Sequence, residues 1–95
     1  MRPEPGAPDP ALAQQAIIEH EIIKQVNARG EGKSICPSEV ARALEPENWR
    51  PLLKKVRVVA ARLALAGQIS ITKKGQPVDP LNFKGVVRLC LPRPK

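Results

Sequence analysis

The segment WRPLLKKVRVVAARLALAGQISIT, residues 49–72, changes its hydrophobic period partway along. Up to Ala66 the period is 3.6, since at 100° per residue its apolar side chains fall in an arc about 120° wide. The residues of this arc are Trp49, Leu52, Leu53, Val56, Val59, Ala60 and Leu63. After Gly67, residues 68–72 alternate polar and apolar, which is typical of a half-buried strand. The segment therefore predicts an amphipathic helix followed directly by a strand.

Upstream of this segment, the sequence predicts two further helices. Residues 11–29 contain no helix breaker, and Ile18, Ile22 and Val26 recur on one face. Asp9 is the expected N-cap of this first helix, Pro10 occupies its first turn, and Gly30 is expected to end it in a left-handed conformation.

The second predicted helix is short and covers about residues 37–44. Pro37 suits its first turn, and Ser38 and Glu39 suit the polar, capping side of that turn. Pro46 cannot continue the helix, and Asn48 is a candidate N-cap for the long third helix that follows. The extended residues before the second helix, near Ile35, are a candidate for a short strand that pairs with the last strand.

Downstream, residues 86–91 predict a second strand, with Val87, Leu89 and Leu91 on one face. A loop of about ten residues separates it from the first strand. The predicted fold is α+β of the winged-helix type: a three-helix helix-turn-helix core followed by a two-stranded hairpin wing. We expect one domain over residues 9–91, with disordered tails at residues 1–8 and 92–95.

The same core positions, together with several polar ones, resemble a family of small bacterial proteins known only as a domain of unknown function. The resemblance covers about residues 15–91 and implies a winged-helix-like fold without an established activity or any catalytic residue. It is carried by the run from Ile35 to Leu44 and by Trp49, Arg50, Val56, Arg57, Ala60, Leu63, Ala64, Gly67, Ile69, Ile71, Gly75, Val78, Asp79, Pro80 and Gly85.

Charge is distributed unevenly over the chain, which has a formal net charge of +7. Residues 1–33 hold four basic and five acidic residues, a net charge of −1. Residues 34–95 hold twelve basic and four acidic residues, a net charge of +8. A small domain with one strongly basic half favours a polyanionic partner, because binding releases counterions and charge steers association.

The basic residues of the third helix and the wing are the candidate DNA contacts. No acidic residue occurs between Arg50 and Ala66, whereas solvated helices usually mix both signs of charge. Arg50 lies near the start of the helix and is the best candidate for a guanine edge, and the other cations suit phosphates. The predicted DNA-binding residues are Arg50, Lys54, Lys55, Arg57, Arg62, Lys73, Lys74 and Lys84. Duplex DNA is the expected partner.

Two other interpretations of the sequence stay open. Val58 and Leu65 interrupt the polar side of the third helix, which would suit a winged-helix module that binds protein or forms a homodimer. A redox-responsive disulfide between Cys36 and Cys90 is conceivable, although a buried cysteine more often acts as a small hydrophobe. Trp49 is expected to anchor the core, and Phe83 to fold the wing back onto the domain.

Enzyme chemistry finds little support in the sequence. Two distant cysteines and the single His20 do not form a metal-ligand set, and Ser38 has no histidine nearby in sequence to activate it. There is no glycine-rich phosphate motif, secretory signal or membrane-length apolar run. We therefore expect no catalytic residue, metal, cofactor, small-molecule ligand or membrane contact, and a cytoplasmic location with reduced thiols.

Overall fold

Three helices and a four-stranded antiparallel sheet form the protein, whose structure is a computed structural model that describes residues 10–92. In chain order the elements are α1 (Pro10–Arg29), β1 (Ser34–Ile35), α2 (Pro37–Leu44), α3 (Arg50–Leu65), β2 (Ser70–Lys73), β3 (Gln76–Pro77) and β4 (Arg88–Cys90). The α+β class is confirmed, and the arrangement is compatible with a winged-helix-like fold. The predicted tail at 1–8, the Asp9 cap and residues 93–95 lie outside the described residues.

The core is aliphatic and is built from the periodic positions of the sequence. Ile18, Ile22 and Val26 of α1 are each at most 1% exposed, as the helical spacing predicted. The buried residues of α3 are Leu52, Val56, Val59, Ala60 and Leu63. Trp49 and Leu53 belong to the same arc, but they are half-buried and pack against the core from its border.

The three helices begin and end close to the predicted residues. Gly30 has φ +87° after the last turn of α1, which confirms the left-handed ending. At the start of α2, a Glu39 carboxylate oxygen accepts the Cys36 N–H at 2.6 Å, so the predicted capping role of Glu39 is confirmed. Its other oxygen accepts a hydrogen bond from Arg29 at 2.8 Å, which ties α2 to the end of α1.

The prediction that Asn48 caps the third helix is wrong. The Asn48 N–H donates to the Glu45 carbonyl at 3.2 Å, so Asn48 belongs to the turn before the helix. The cap position is Trp49, whose carbonyl accepts the N–H groups of Leu52 and Leu53. The helix therefore begins one residue later than an Asn48 cap would set it, with Pro51 tolerated in its first turn.

The strands form one sheet in the order β1-β4-β2-β3. The short strand expected near Ile35 is present, and Ile35 lies opposite Leu89 of the last strand. β2 pairs with the other edge of β4, so Ile71 also lies opposite Leu89. Ile35, Ile71 and Leu89 are all at most 2% exposed and close the core on the sheet side.

The fourth strand, β3, was not predicted. Lys73 lies opposite Gln76, so Lys74 and Gly75 form a two-residue hairpin turn. Their φ angles of 52° and 80° are both positive, as a type I′ turn requires. Pro77 has no N–H to donate, which an edge strand such as β3 tolerates. The remaining connection, residues 78–87, is called the β3–β4 loop below.

Candidate nucleic-acid interface

Five basic residues of α3 occupy the side of the helix that faces away from the core. Four of them, Arg50, Lys54, Lys55 and Arg62, are exposed, and Arg57 is half-buried at one border of the face. The helix lies against α1 and α2 through its opposite side. The predicted apolar inner side of α3 is therefore what the fold contains, and the outer side carries the cations together with the exposed Val58 and Leu65.

None of the eight predicted contact residues forms an ion pair within residues 10–92. In that part of the chain, the ion pair present joins Arg29 to Glu39 at 2.8 Å, away from the face. The predicted residues on the sheet side, Lys73, Lys74 and Lys84, are exposed as well. Asp79 is the single acidic residue between positions 70 and 95. The face of α3 and the neighbouring hairpin together present positive charge that no carboxylate of residues 10–92 pairs with.

Arg50 is held at the start of α3 by an aromatic ring. Its guanidinium carbon lies 5.4 Å from the centroid of the Trp49 ring, and that of Arg42 in α2 lies 4.5 Å from the same ring. A positive charge that lies above the face of an aromatic ring is attracted to the ring. The structure therefore brings Arg42 of α2 to the same edge of the surface as Arg50.

Arg57 connects α3 to the β3–β4 loop. Its guanidinium donates to the Gly85 carbonyl at 2.9 Å and lies 4.9 Å from the centroid of the Phe83 ring. Phe83 is half-buried and packs against the core, as expected for a residue that folds the loop back. Lys73 donates to the neighbouring Lys84 carbonyl at 3.3 Å. Two of the predicted DNA contacts thus also brace the loop beside the cationic face.

Replacement of Arg57 by alanine is expected to loosen the β3–β4 loop without unfolding the domain. The change removes a charged hydrogen bond and a cation–π contact, which together stabilise the closed loop by about 1–2 kcal/mol at a partly exposed site. Hydrogen exchange at the loop amides, such as Val78, which donates to Ile71 at 3.0 Å, should then accelerate about five- to thirtyfold.

The matched control for this experiment is Arg62→Ala, which removes the same side chain from an exposed position of α3. Phe83→Leu should accelerate exchange in the loop in the same direction, because it removes the ring but leaves Arg57. Equal exchange rates in the loop amides of Arg57→Ala and the unaltered chain would show that Arg57 does not brace the loop.

An apolar groove of about 350 Å³ lies between α1 and α3. Ile18, Val58 and Val59 contribute apolar lining, and Lys54 and Lys55 contribute charge. Lys55 also donates to the Gln14 side chain at 2.8 Å. The groove therefore continues the cationic face toward α1 and adds an exposed hydrophobic element to it.

Cys36 and Cys90 are both half-buried and are not joined by a disulfide. Cys90 lies opposite Ser34 in the sheet, and Cys36 lies just past the end of β1, at the N-cap of α2. The Ser38 hydroxyl donates to the Cys36 sulfur at 3.1 Å, and His20 is exposed on α1.

Residues 10–92 contain no group of three or more His, Cys, Asp or Glu side chains placed to hold a metal ion. Within the same residues, none of the helices combines the length and hydropathy needed to cross a bilayer.

Comparison with known protein families gives a match over most of the chain. The model of a family described as "Protein of unknown function (DUF3253)" matches residues 15–92. That range includes α1 from its second turn onward and every later element of the fold, and it agrees with the range of the resemblance found in the sequence. No curated protein matches the chain.

Proposed function

The chain belongs to the DUF3253 family of proteins of unknown function, and we propose that it is a non-enzymatic winged-helix protein that binds duplex DNA. The observation that carries the proposal is the cationic face of α3, exposed beside the β2–β3 hairpin and free of ion pairs within residues 10–92. The proposal includes a role in the regulation of transcription in the bacterial cytoplasm.

In this proposal α3 lies in the major groove. Arg50, near the N-terminus of the helix, contacts a guanine edge, and its contact with Trp49 orders the side chain before DNA arrives. The remaining exposed cations of α3, which are Lys54, Lys55 and Arg62, contact phosphates and fix the position of the protein on the duplex.

The sheet side supplies a second set of phosphate contacts. Lys74 lies in the two-residue turn between β2 and β3, and Lys84 lies in the β3–β4 loop. Lys73 and Arg57 hold that loop through their hydrogen bonds to consecutive carbonyls, so the second set keeps a fixed distance from α3. Lys73 and Arg57 therefore contribute positive charge and also hold the β3–β4 loop in place.

A salt titration tests the proposal. Affinity for random-sequence duplex DNA should fall linearly with salt on a log–log plot, with a slope of about −4 to −7 if between four and eight cations neutralise phosphates. Fluorescence anisotropy of a labelled duplex measures this slope. Absence of binding at low salt would refute the proposal.

A second candidate function is self-association. Ile17, Val58 and Leu65 are 55%, 54% and 58% exposed on α1 and α3, and Val58 lines the groove between these helices. Exposed apolar side chains on adjacent helices are a feature that protein interfaces use. Light scattering distinguishes the two functions, since self-association requires a mass that rises with protein concentration in the absence of DNA.

A further inference from the structure

The outermost line of α3 is apolar over most of its length. Viewed down the helix, Lys54, Val58, Ala61 and Leu65 follow one another at intervals of three or four residues, opposite the centre of the buried arc. Val58 is 54% exposed and Leu65 is 58% exposed. Val58 and Leu65 are therefore the apolar side chains that a partner of this side of α3 would contact.

Cations border this line on both sides. Arg50 and Arg57 lie along one side, and Lys55 and Arg62 lie along the other. The major groove of B-DNA has the complementary arrangement, with a phosphate backbone on each wall and base edges on the floor. The apolar group on that floor is the C5 methyl of thymine.

Distance along the helix selects Val58 within the line. Eight residues separate Arg50 from Val58, which is about 12 Å at 1.5 Å per residue and equals the approximate width of the major groove. Leu65 lies a further seven residues along, at about 22 Å from Arg50. A helix whose first turn contacts the base edges through Arg50 therefore keeps Val58 within one groove width of that contact, whereas Leu65 lies beyond it.

We propose that Val58 is a specificity-determining residue that packs against thymine methyl groups, so that the protein prefers A·T base pairs at this part of its site. The inference rests on the proposed function and adds to it that Val58 recognises thymine. The flanking cations give affinity for any sequence, and Val58 distinguishes between sequences.

A pair of DNA polymers tests the contact directly. Alternating dA-dT duplex and the same duplex with deoxyuridine in place of thymidine differ in the C5 methyl group. The unaltered protein is expected to bind the thymine duplex about fourfold more tightly, since one buried methyl group contributes about 0.8 kcal/mol. Val58→Ala should bind the two duplexes with equal affinity and an unchanged salt slope, because no charge is altered.

Leu65→Ala is the matched control, since it removes the other exposed apolar side chain of the line and should keep the preference for thymine. Both positions are exposed, so neither variant should change the free energy of unfolding by more than about 0.5 kcal/mol. Equal binding of both duplexes by the unaltered protein, or a preference that survives in Val58→Ala, would overturn this inference but not DNA binding. Failure to bind either duplex at low salt would overturn both.

Discussion

A variant in which glutamine replaces the four exposed cations of α3 is expected to lose about a thousandfold in affinity for duplex DNA at about 0.1 M salt. The four residues are Arg50, Lys54, Lys55 and Arg62. Each cation that neutralises a phosphate contributes about 0.9 to the slope of the salt dependence, so the slope should become shallower by about 3 to 4. Fluorescence anisotropy over a range of salt concentrations measures both quantities.

The fold should survive these four changes. All four side chains are exposed and lie outside the core, and glutamine has a helix propensity close to those of lysine and arginine. The circular dichroism spectrum and the melting temperature of the variant should therefore stay close to those of the unaltered chain. Lys55→Gln also keeps a side-chain donor for Gln14.

The matched control replaces Lys24 and Lys33 by glutamine, two exposed cations in the N-terminal part of the chain, outside the proposed interface. If charge acts through specific placement, the control should leave the slope unchanged. If net charge alone attracts DNA, the affinity lost per cation would be the same in both variants. If the variant with four substitutions has the same salt dependence of affinity as the unaltered chain, α3 does not contact phosphates.

The helices and the inner side of α3 could be predicted because burial repeats along the chain. Val56 is fully buried and Lys54 is exposed, as their angular positions on a helix required. The pairing of Ile35 with the last strand could also be predicted, because a short extended segment between two helices has few strands with which it can pair. In both cases the relevant information is local or periodic.

The fourth strand could not be predicted in the same way. β3 contains two residues, Gln76 and Pro77, both exposed, so it carries no hydrophobic period. Its turn depends on positive φ angles at Lys74 and Gly75, and lysine is an uncommon residue for such a conformation. The misplaced cap at Asn48 has a similar origin, because a turn and a cap use the same residue types.

The candidate site was foreseen as a set of charges but not as a set of contacts. The sequence placed Arg57 on the polar side of α3, and only the fold brings it to Gly85 and Phe83, which are 28 and 26 residues further along the chain. One signal was present: Arg57 lies at the border between the polar and buried arcs, where a long side chain reaches a neighbouring element.

Leu89→Ala is expected to lower the free energy of unfolding by about 3–5 kcal/mol, the largest change in stability that we predict. Leu89 is fully buried, and it lies opposite Ile35 on one side and Ile71 on the other. β4 is the strand that joins β1 to β2, so a cavity at its centre removes packing from both sides of the sheet at once. A small domain has a total stability of about 5–15 kcal/mol, so this loss is a large share of it.

Urea denaturation and thermal melting measure the effect of Leu89→Ala, and the melting temperature should fall by at least about 12 °C. The control is Val86→Ala, which truncates a side chain three residues earlier that is 77% exposed and should change stability by less than about 0.5 kcal/mol. At temperatures where Leu89→Ala is still folded, its DNA affinity should keep the salt slope of the unaltered chain, since every cation of α3 is retained. A loss of stability below about 1 kcal/mol would mean that β4 does not hold the sheet to the core in this way.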